Sequence, residues 1–141
     1  MSGNTCSLEL EANTAALHRV VEFVQKGAVE ARLPVLRMGE LDLLIEEIFM
    51  NVCSHAYPGN TPGKVTVTYW VCEPGQLKIE VADQGAEFNP LAAEPPDVTL
   101  DLEDRPIGGL GIFLVKALAP SLSYSREDGW NRLTFVISAG S

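Results

Sequence analysis

The stretch KVTVTYWVCEPGQLKIEVAD, residues 64–83, predicts a β-hairpin. Apolar and polar residues alternate in KVTVTYWV and again in QLKIEVAD, as they do along strands that are buried on one side. Glu73, Pro74 and Gly75 lie between the two runs and supply the turn. We therefore expect a sheet with this hairpin inside it.

The segments around the hairpin predict helices that cover one face of the sheet. Residues 5–11 alternate like a half-buried strand, and apolar residues recur at helical spacing from Ala15 to about Ala31 and from about Glu40 to Ala56. A long loop, a short glycine-led helix and two closing strands, LSYSRE and NRLTFVIS, follow the hairpin. This order of elements predicts one sheet with helices on one face and counts against a Rossmann-type domain.

The composition fits a single domain over residues 1–141, with 46% apolar residues to form one core. The apolar runs fall well short of the roughly 20 residues that cross a bilayer, so we expect a cytoplasmic protein without a membrane partner. The net charge of −9 disfavours direct nucleic-acid binding, which relies on Lys and Arg clusters. The three cysteines show no metal-binding spacing and fit a reducing compartment.

A polar ridge is expected on the second helix. Glu47, Asn51 and His55 are spaced four apart, so their side chains lie on one helical face beside the apolar one. A carboxylate there could accept a proton, and a carboxamide oxygen could ligate a hard cation such as Mg²⁺. The alternative is an ordinary amphipathic helix whose polar face is solvated.

The segment DQGAEFNP places Asp83 at the end of a strand and Gly85 two residues later. The carboxylate could be presented to a ligand, and glycine would permit a close approach of the backbone. The alternative is a turn in which Asp83 binds its own backbone, as is common in Asp-x-Gly sequences.

The segment GGLG, residues 108–111, precedes an apolar helix. A glycine-rich loop at a helix N-terminus offers free amides and a partial positive charge to phosphate oxygens. No Lys-Ser or Lys-Thr pair follows, so this is not a Walker A loop. Tight packing of the helix would explain these glycines as well.

Three segments together resemble the nucleotide site of the GHKL superfamily, and in particular of its anti-sigma-factor serine/threonine kinases. EEIFMNVCSHAYPG is similar to their N box, DQGAEFNP to their G1 box and RPIGGLGIFLVKAL to their G2 box. The resemblance extends to NRLTFVI and so covers nearly the whole chain. It implies an α+β fold, a two-layer sandwich with a mixed, mostly antiparallel sheet and helices on one face.

The resemblance also implies roles for individual residues. Glu47 would be the general base that activates the attacking hydroxyl, and Asn51 would ligate the Mg²⁺ that bridges the phosphates of ATP. Asp83 would accept a hydrogen bond from the adenine amino group, and Gly85 would let the base approach. Thr134 would lie beside Asp83 on the floor of the sheet.

By the same resemblance, residues from about 91 to 107 would form a lid over ATP. Gly109 and Gly111 would contact phosphate, and Arg105 would lie near the terminal phosphates or be a solvated loop residue. His55 matches a histidine that lies near the phosphates in the family, although a structural role is its alternative.

The implied function is a protein kinase that phosphorylates a small STAS-type anti-anti-sigma protein and alternatively sequesters a sigma factor. The resemblance is also compatible with a homodimer. A binding module of the same fold that captures a protein without transferring phosphate is the alternative. A histidine-kinase catalytic domain is disfavoured because no helix pair with a phospho-accepting histidine precedes residue 15.

Overall fold

The structure is a computed structural model that describes residues 5–55, 57, 63–87, 89, 118–119 and 121–139. The described elements begin with one strand and two helices, and two β-hairpins follow. In chain order they are β1 Thr5–Glu11, a 3₁₀ turn Thr14–Ala16, α1 Leu17–Glu30, α2 Val35–His55, β2 Lys64–Glu73, β3 Gln76–Asp83, β4 Ser123–Glu127 and β5 Trp130–Ser138.

The five strands form one open sheet in the order β1-β2-β3-β5-β4, and each described neighbouring pair is antiparallel. The predicted hairpin is β2 and β3, with Val65 opposite Asp83. A second tight turn joins β4 to β5 at Asp128 and Gly129, whose φ angles of 52° and 85° are those of a left-handed turn suited to a hairpin. The predicted α+β fold is confirmed.

The core lies between the sheet and the two helices. Alternate residues of each central strand face the helices, as the period of two requires. These buried residues are Val65, Val67 and Tyr69 of β2, Leu77, Ile79 and Val81 of β3, and Leu133, Phe135 and Ile137 of β5. From the helices, Val20, Val24, Ala28, Leu41, Leu44, Ile45, Ile48 and Phe49 are buried against them. The predicted placement of the helices on one face is confirmed.

Helix α1 is fixed to the sheet by a close contact at Gly27. A Cβ atom at this position would lie 2.9 Å from the ring of the fully buried Tyr69, so glycine permits the approach. The Tyr69 hydroxyl donates a hydrogen bond to Glu30 at 2.9 Å, and Phe23 packs against the ring at 5.0 Å between centroids. Burial, with Cys6 and Glu30 nearby, raises the pKa of Tyr69, which therefore stays protonated as a donor.

Helix α2 begins at Val35, about five residues before the predicted start at Glu40. Pro34 immediately precedes it, and its carbonyl accepts the first helical hydrogen bond from Met38 at 3.1 Å. Val35 and Leu36 are 85% and 73% exposed, so the first turn carries no amphipathic signal. Neither described helix is long and apolar enough to span a membrane.

Candidate nucleotide site

Glu47 and Asn51 lie on the flank of α2, as their spacing predicts. The neighbouring positions Ile48 and Phe49 are buried in the core, which fixes the rotation of the helix and leaves Glu47 and Asn51 half-buried. The Asn51 amide donates to the main-chain oxygen of Glu47 at 2.8 Å and to its carboxylate at 3.3 Å. The two side chains are therefore one hydrogen-bonded unit.

The environment of the Glu47 carboxylate makes it a better proton acceptor. Partial burial raises the pKa of Glu47, the hydrogen bond from Asn51 lowers it in part, and the adjacent Glu46 carboxylate raises it again. The net direction is upward, which brings the carboxylate nearer the range in which a general base works well at neutral pH.

The same contact orients the Asn51 carboxamide. Its nitrogen is engaged by Glu47, so its oxygen is the atom left for another partner. A single carboxamide oxygen suits Mg²⁺, which commonly takes one or two protein ligands and completes its shell with phosphate oxygens and water. Asn51 therefore fits the predicted magnesium ligand. The described residues contain no cluster of His, Cys, Asp and Glu that could hold a metal alone.

Asp83 ends β3 and is 4% exposed. Its Oδ1 accepts hydrogen bonds from the Gly85 N–H and from the Asn131 amide, each at 2.9 Å. Within the described part of the chain, no residue donates to the other oxygen, Oδ2. The turn in which Asp83 binds its own backbone, which was the alternative prediction, is thus present. It uses only one of the two carboxylate oxygens.

Tyr57 joins the end of α2 to the end of β3. Its hydroxyl donates to the Lys64 carbonyl at 2.7 Å and accepts from the Gln84 N–H at 3.0 Å. The ring lies directly against Gly63, where a Cβ atom would clash with it. Because Tyr57 lies two residues after α2 and Gln84 directly follows Asp83, these bonds tie the chain after α2 to the end of β3 that carries Asp83. Tyr57 was not among the predicted site residues.

The prediction that Thr134 lies beside Asp83 is wrong. In the register of β3 and β5, Asn131 is opposite Asp83, whereas Thr134 is opposite Glu80. Thr134 is an odd number of positions from Asn131, so it faces the opposite side of the sheet from Asp83. Asn131, which is 5% exposed, occupies the place expected for Thr134.

Several predicted site residues fall outside the described residues. They are Arg105, Gly109, Gly111 and the segment from about 91 to 107. His55 is the last residue of α2, but its side chain also lies outside what the structure describes. Gly85 is described, and its N–H and carbonyl both take part in hydrogen bonds.

Sequence comparison relates the chain to bacterial protein kinases. A family described as Histidine kinase-like ATPase domain matches residues 10–137. Serine/threonine-protein kinase BtrW of Bordetella bronchiseptica is 30% identical over 136 residues, which make up 96% of this chain and 95% of that protein. Serine-protein kinase RsbW of Listeria monocytogenes is 32% identical over 94 residues, 64% of this chain and 59% of that protein.

Comparison with solved structures supports the fold. The RsbU and RsbW domains of a Mycobacterium tuberculosis protein align with a TM-score of 0.66 and 16% identity, covering 96% of this chain and 32% of that one. The histidine kinase domain of a blue-light activated histidine kinase from Erythrobacter litoralis EL346 aligns with a TM-score of 0.56 and 18% identity, covering 89% of this chain and 60% of that one.

Proposed function

Because the chain belongs to the histidine kinase-like ATPase domain family, we propose that it binds ATP with Mg²⁺ and phosphorylates a STAS-type anti-anti-sigma protein. The enzyme class is serine/threonine-protein kinase, the class of relatives that it matches. The observation that carries the proposal is the hydrogen-bonded pair Glu47 and Asn51, in which one member has a raised pKa and the other keeps a carboxamide oxygen available.

Asp83 would bind the base of the nucleotide. Its Oδ2 is an acceptor without a described partner, and the exocyclic amino group of adenine is a donor that matches it. With the base in the same orientation, the oxo group of guanine would meet the carboxylate as a second acceptor. An adenine nucleotide is therefore the ligand that this carboxylate favours.

Glu47 would act on the acceptor hydroxyl. The hydroxyl oxygen bonds to the γ-phosphorus as the bond from that phosphorus to the β–γ bridging oxygen breaks. ADP leaves with the electron pair, and a Glu47 carboxylate oxygen takes the hydroxyl proton. Asn51 would hold Mg²⁺, whose contribution is to neutralise charge on the phosphates. Asn51 also holds Glu47 in place through its amide.

The proposed partners are those that the resemblance to anti-sigma-factor serine/threonine kinases implies. We propose that the protein acts in the cytoplasm, where it would phosphorylate the anti-anti-sigma protein or sequester a sigma factor, and that it can form a homodimer. The net charge of −9 favours protein partners with basic surfaces over the phosphate backbone of a nucleic acid.

Calorimetric titration with ATP and ADP, with and without Mg²⁺, tests the shared premise of nucleotide binding without any partner. We expect saturable binding to the parent that Mg²⁺ strengthens for ATP. Asp83→Asn replaces the free acceptor with a group that can present a donor, so it should weaken binding by about 100-fold, the cost of mispairing a buried hydrogen-bonding group.

The control is Asp128→Asn, which removes a carboxylate in the exposed β4–β5 turn and should leave binding unchanged. If the parent bound no nucleotide, the kinase proposal would fail. A module that captures a protein partner would then be the better description of the chain.

A further inference from the structure

Four successive residues at the end of β3 are each held by hydrogen bonds. The Asp83 carboxylate accepts from Asn131 at 2.9 Å, and the Gln84 N–H donates to the Tyr57 hydroxyl at 3.0 Å. The Gly85 carbonyl accepts from Arg126 at 2.7 Å, and the Ala86 carbonyl accepts from Asn131 at 2.8 Å. We call residues 83–86 the base loop.

Two of these anchoring residues, Arg126 and Asn131, belong to the β4–β5 hairpin and lie opposite each other in its register. Both face the helix side of the sheet, as Asp83 does. Asp83 and Asn131 are the two buried polar residues of the described chain, and they bind each other. The hydrogen bond between these two buried side chains holds both of them in one orientation.

The orientation of the Asn131 amide is fixed as well. The Tyr124 hydroxyl donates to Asn131 Oδ1 at 2.5 Å, so the amide nitrogen must face Asp83 and Ala86. That nitrogen gives both its hydrogens to the base loop. Asp83 Oδ1 is thereby committed, which leaves Oδ2 as the oxygen that could meet a ligand.

We propose that Arg126 and Asn131 are positioning residues that set the selectivity of this site for adenine over guanine. They preform the base loop, so that Asp83 meets a nucleobase with one acceptor oxygen in one orientation. The inference rests on the proposed function, since it concerns the same nucleotide site. Neither residue needs to touch the nucleotide.

A preformed loop binds its ligand without first losing conformational freedom. Once the anchors are removed, Asp83 can rotate and the loop can rearrange, so ATP affinity falls. Selectivity also falls, because a mobile carboxylate can turn away from the guanine oxo group that a fixed one repels. A residue needed only for folding would lower the amount of active protein without altering the ratio of ATP to GTP affinity.

The experiment is calorimetric titration of the purified full chain with ATP, ADP and GTP. Asn131→Leu removes both bonds from the amide at nearly constant size and should weaken ATP and ADP binding by about 30-fold. Arg126→Met removes one bond and should weaken it by about 10-fold, whereas Arg126→Lys keeps a cationic donor and should restore part of the affinity. GTP affinity should change less in each weakened variant.

The matched control is Arg132→Met. Arg132 lies in the same hairpin, but its guanidinium pairs with Glu80 at 3.1 Å and lies over the Trp130 ring on the other face of the sheet. This variant should bind ATP within about twofold of the parent, since no hydrogen bond to the base loop is lost. Thermal unfolding of each variant shows whether it is folded at the titration temperature.

If Asp83→Asn abolishes binding while Arg126→Met and Asn131→Leu bind ATP as the parent does, only this inference is overturned. An unchanged ratio of ATP to GTP affinity would overturn it too, as would an equal loss in Arg132→Met. If the parent binds neither ATP nor ADP, the proposed function itself is wrong. If Asn131→Leu does not fold, the titrations of Arg126→Met and Arg126→Lys test the inference by themselves.

Discussion

Glu47→Gln separates phosphoryl transfer from nucleotide binding in this chain. The substitution keeps the size of the side chain and an oxygen that can still accept from the Asn51 amide at about the observed 3.3 Å. It removes the ability to take a proton. General-base catalysis contributes about 10²–10⁴-fold, so transfer should slow by about that factor, equivalent to about 3–5 kcal/mol of activation free energy. ATP affinity should stay within about threefold.

The assay measures transfer from radiolabelled ATP to a STAS-domain protein at saturating ATP, together with calorimetric titration of the same preparation. The matched control is Glu46→Gln, which removes the neighbouring, exposed carboxylate but not the base. Transfer by Glu47→Gln at the rate of the parent would refute the general-base role. A comparable loss of transfer rate in Glu46→Gln would show that the rate depends on negative charge in this region and not on proton transfer to Glu47.

The pH dependence of phosphoryl transfer is a second test of the role of Glu47. In the proposed role Glu47 would act as a base only when ionised, so transfer should rise with pH through the pKa of Glu47, which partial burial raises from the ordinary glutamate value. Since the Glu46 carboxylate contributes to that upward direction, the rise in Glu46→Gln should move to lower pH. A shift to higher pH would contradict the electrostatic argument.

Two further predictions concern the metal ligand and the packing of α1. Asn51→Ala removes the free carboxamide oxygen, so titration should show ATP binding that no longer strengthens with Mg²⁺. ATP binding that depends on Mg²⁺ as much as in the parent would show that Asn51 is not a magnesium ligand. Gly27→Ala drives a methyl group into the buried Tyr69 ring and should destabilise the fold by about 1–3 kcal/mol. Gly39→Ala, whose new methyl group would meet no atom within 4 Å, is the control and should stabilise α2 by up to about 1 kcal/mol. Chemical denaturation measures both free energies of unfolding, and a change of the same sign in the two variants would contradict the packing.

The elements and the contact between Glu47 and Asn51 could be predicted because each depends on local spacing. Alternation in residues 64–83 gave the central hairpin, and a separation of four placed Glu47 and Asn51 on one helical face. The start of α2 was missed because Val35 and Leu36 are exposed, so burial leaves no pattern in the first turn.

The residue beside Asp83 could not be predicted in the same way. A tight turn fixes the register of β4 on β5, but β3 and β5 are not consecutive in the chain, so no local signal sets their alignment. The choice of Thr134 differed from the true partner, Asn131, by three positions, and an odd error in a strand also reverses the face. Long-range register is set by packing of the whole core.

The residues of the proposed site lie on two separate parts of the fold, helix α2 and the sheet. Under the proposed function, phosphoryl transfer would depend on α2, where Glu47 and Asn51 bind each other, and base recognition would depend on the sheet, where Asp83 and Asn131 bind each other. Within the described residues no hydrogen bond joins the two pairs directly, and the Tyr57 hydroxyl links the chain after α2 to the end of β3. Changes to the two pairs should therefore act independently, with Glu47→Gln altering transfer and Asn131→Leu altering affinity, and their effects should add in the double variant. Strong coupling between them would mean that binding of the base helps to assemble the catalytic pair.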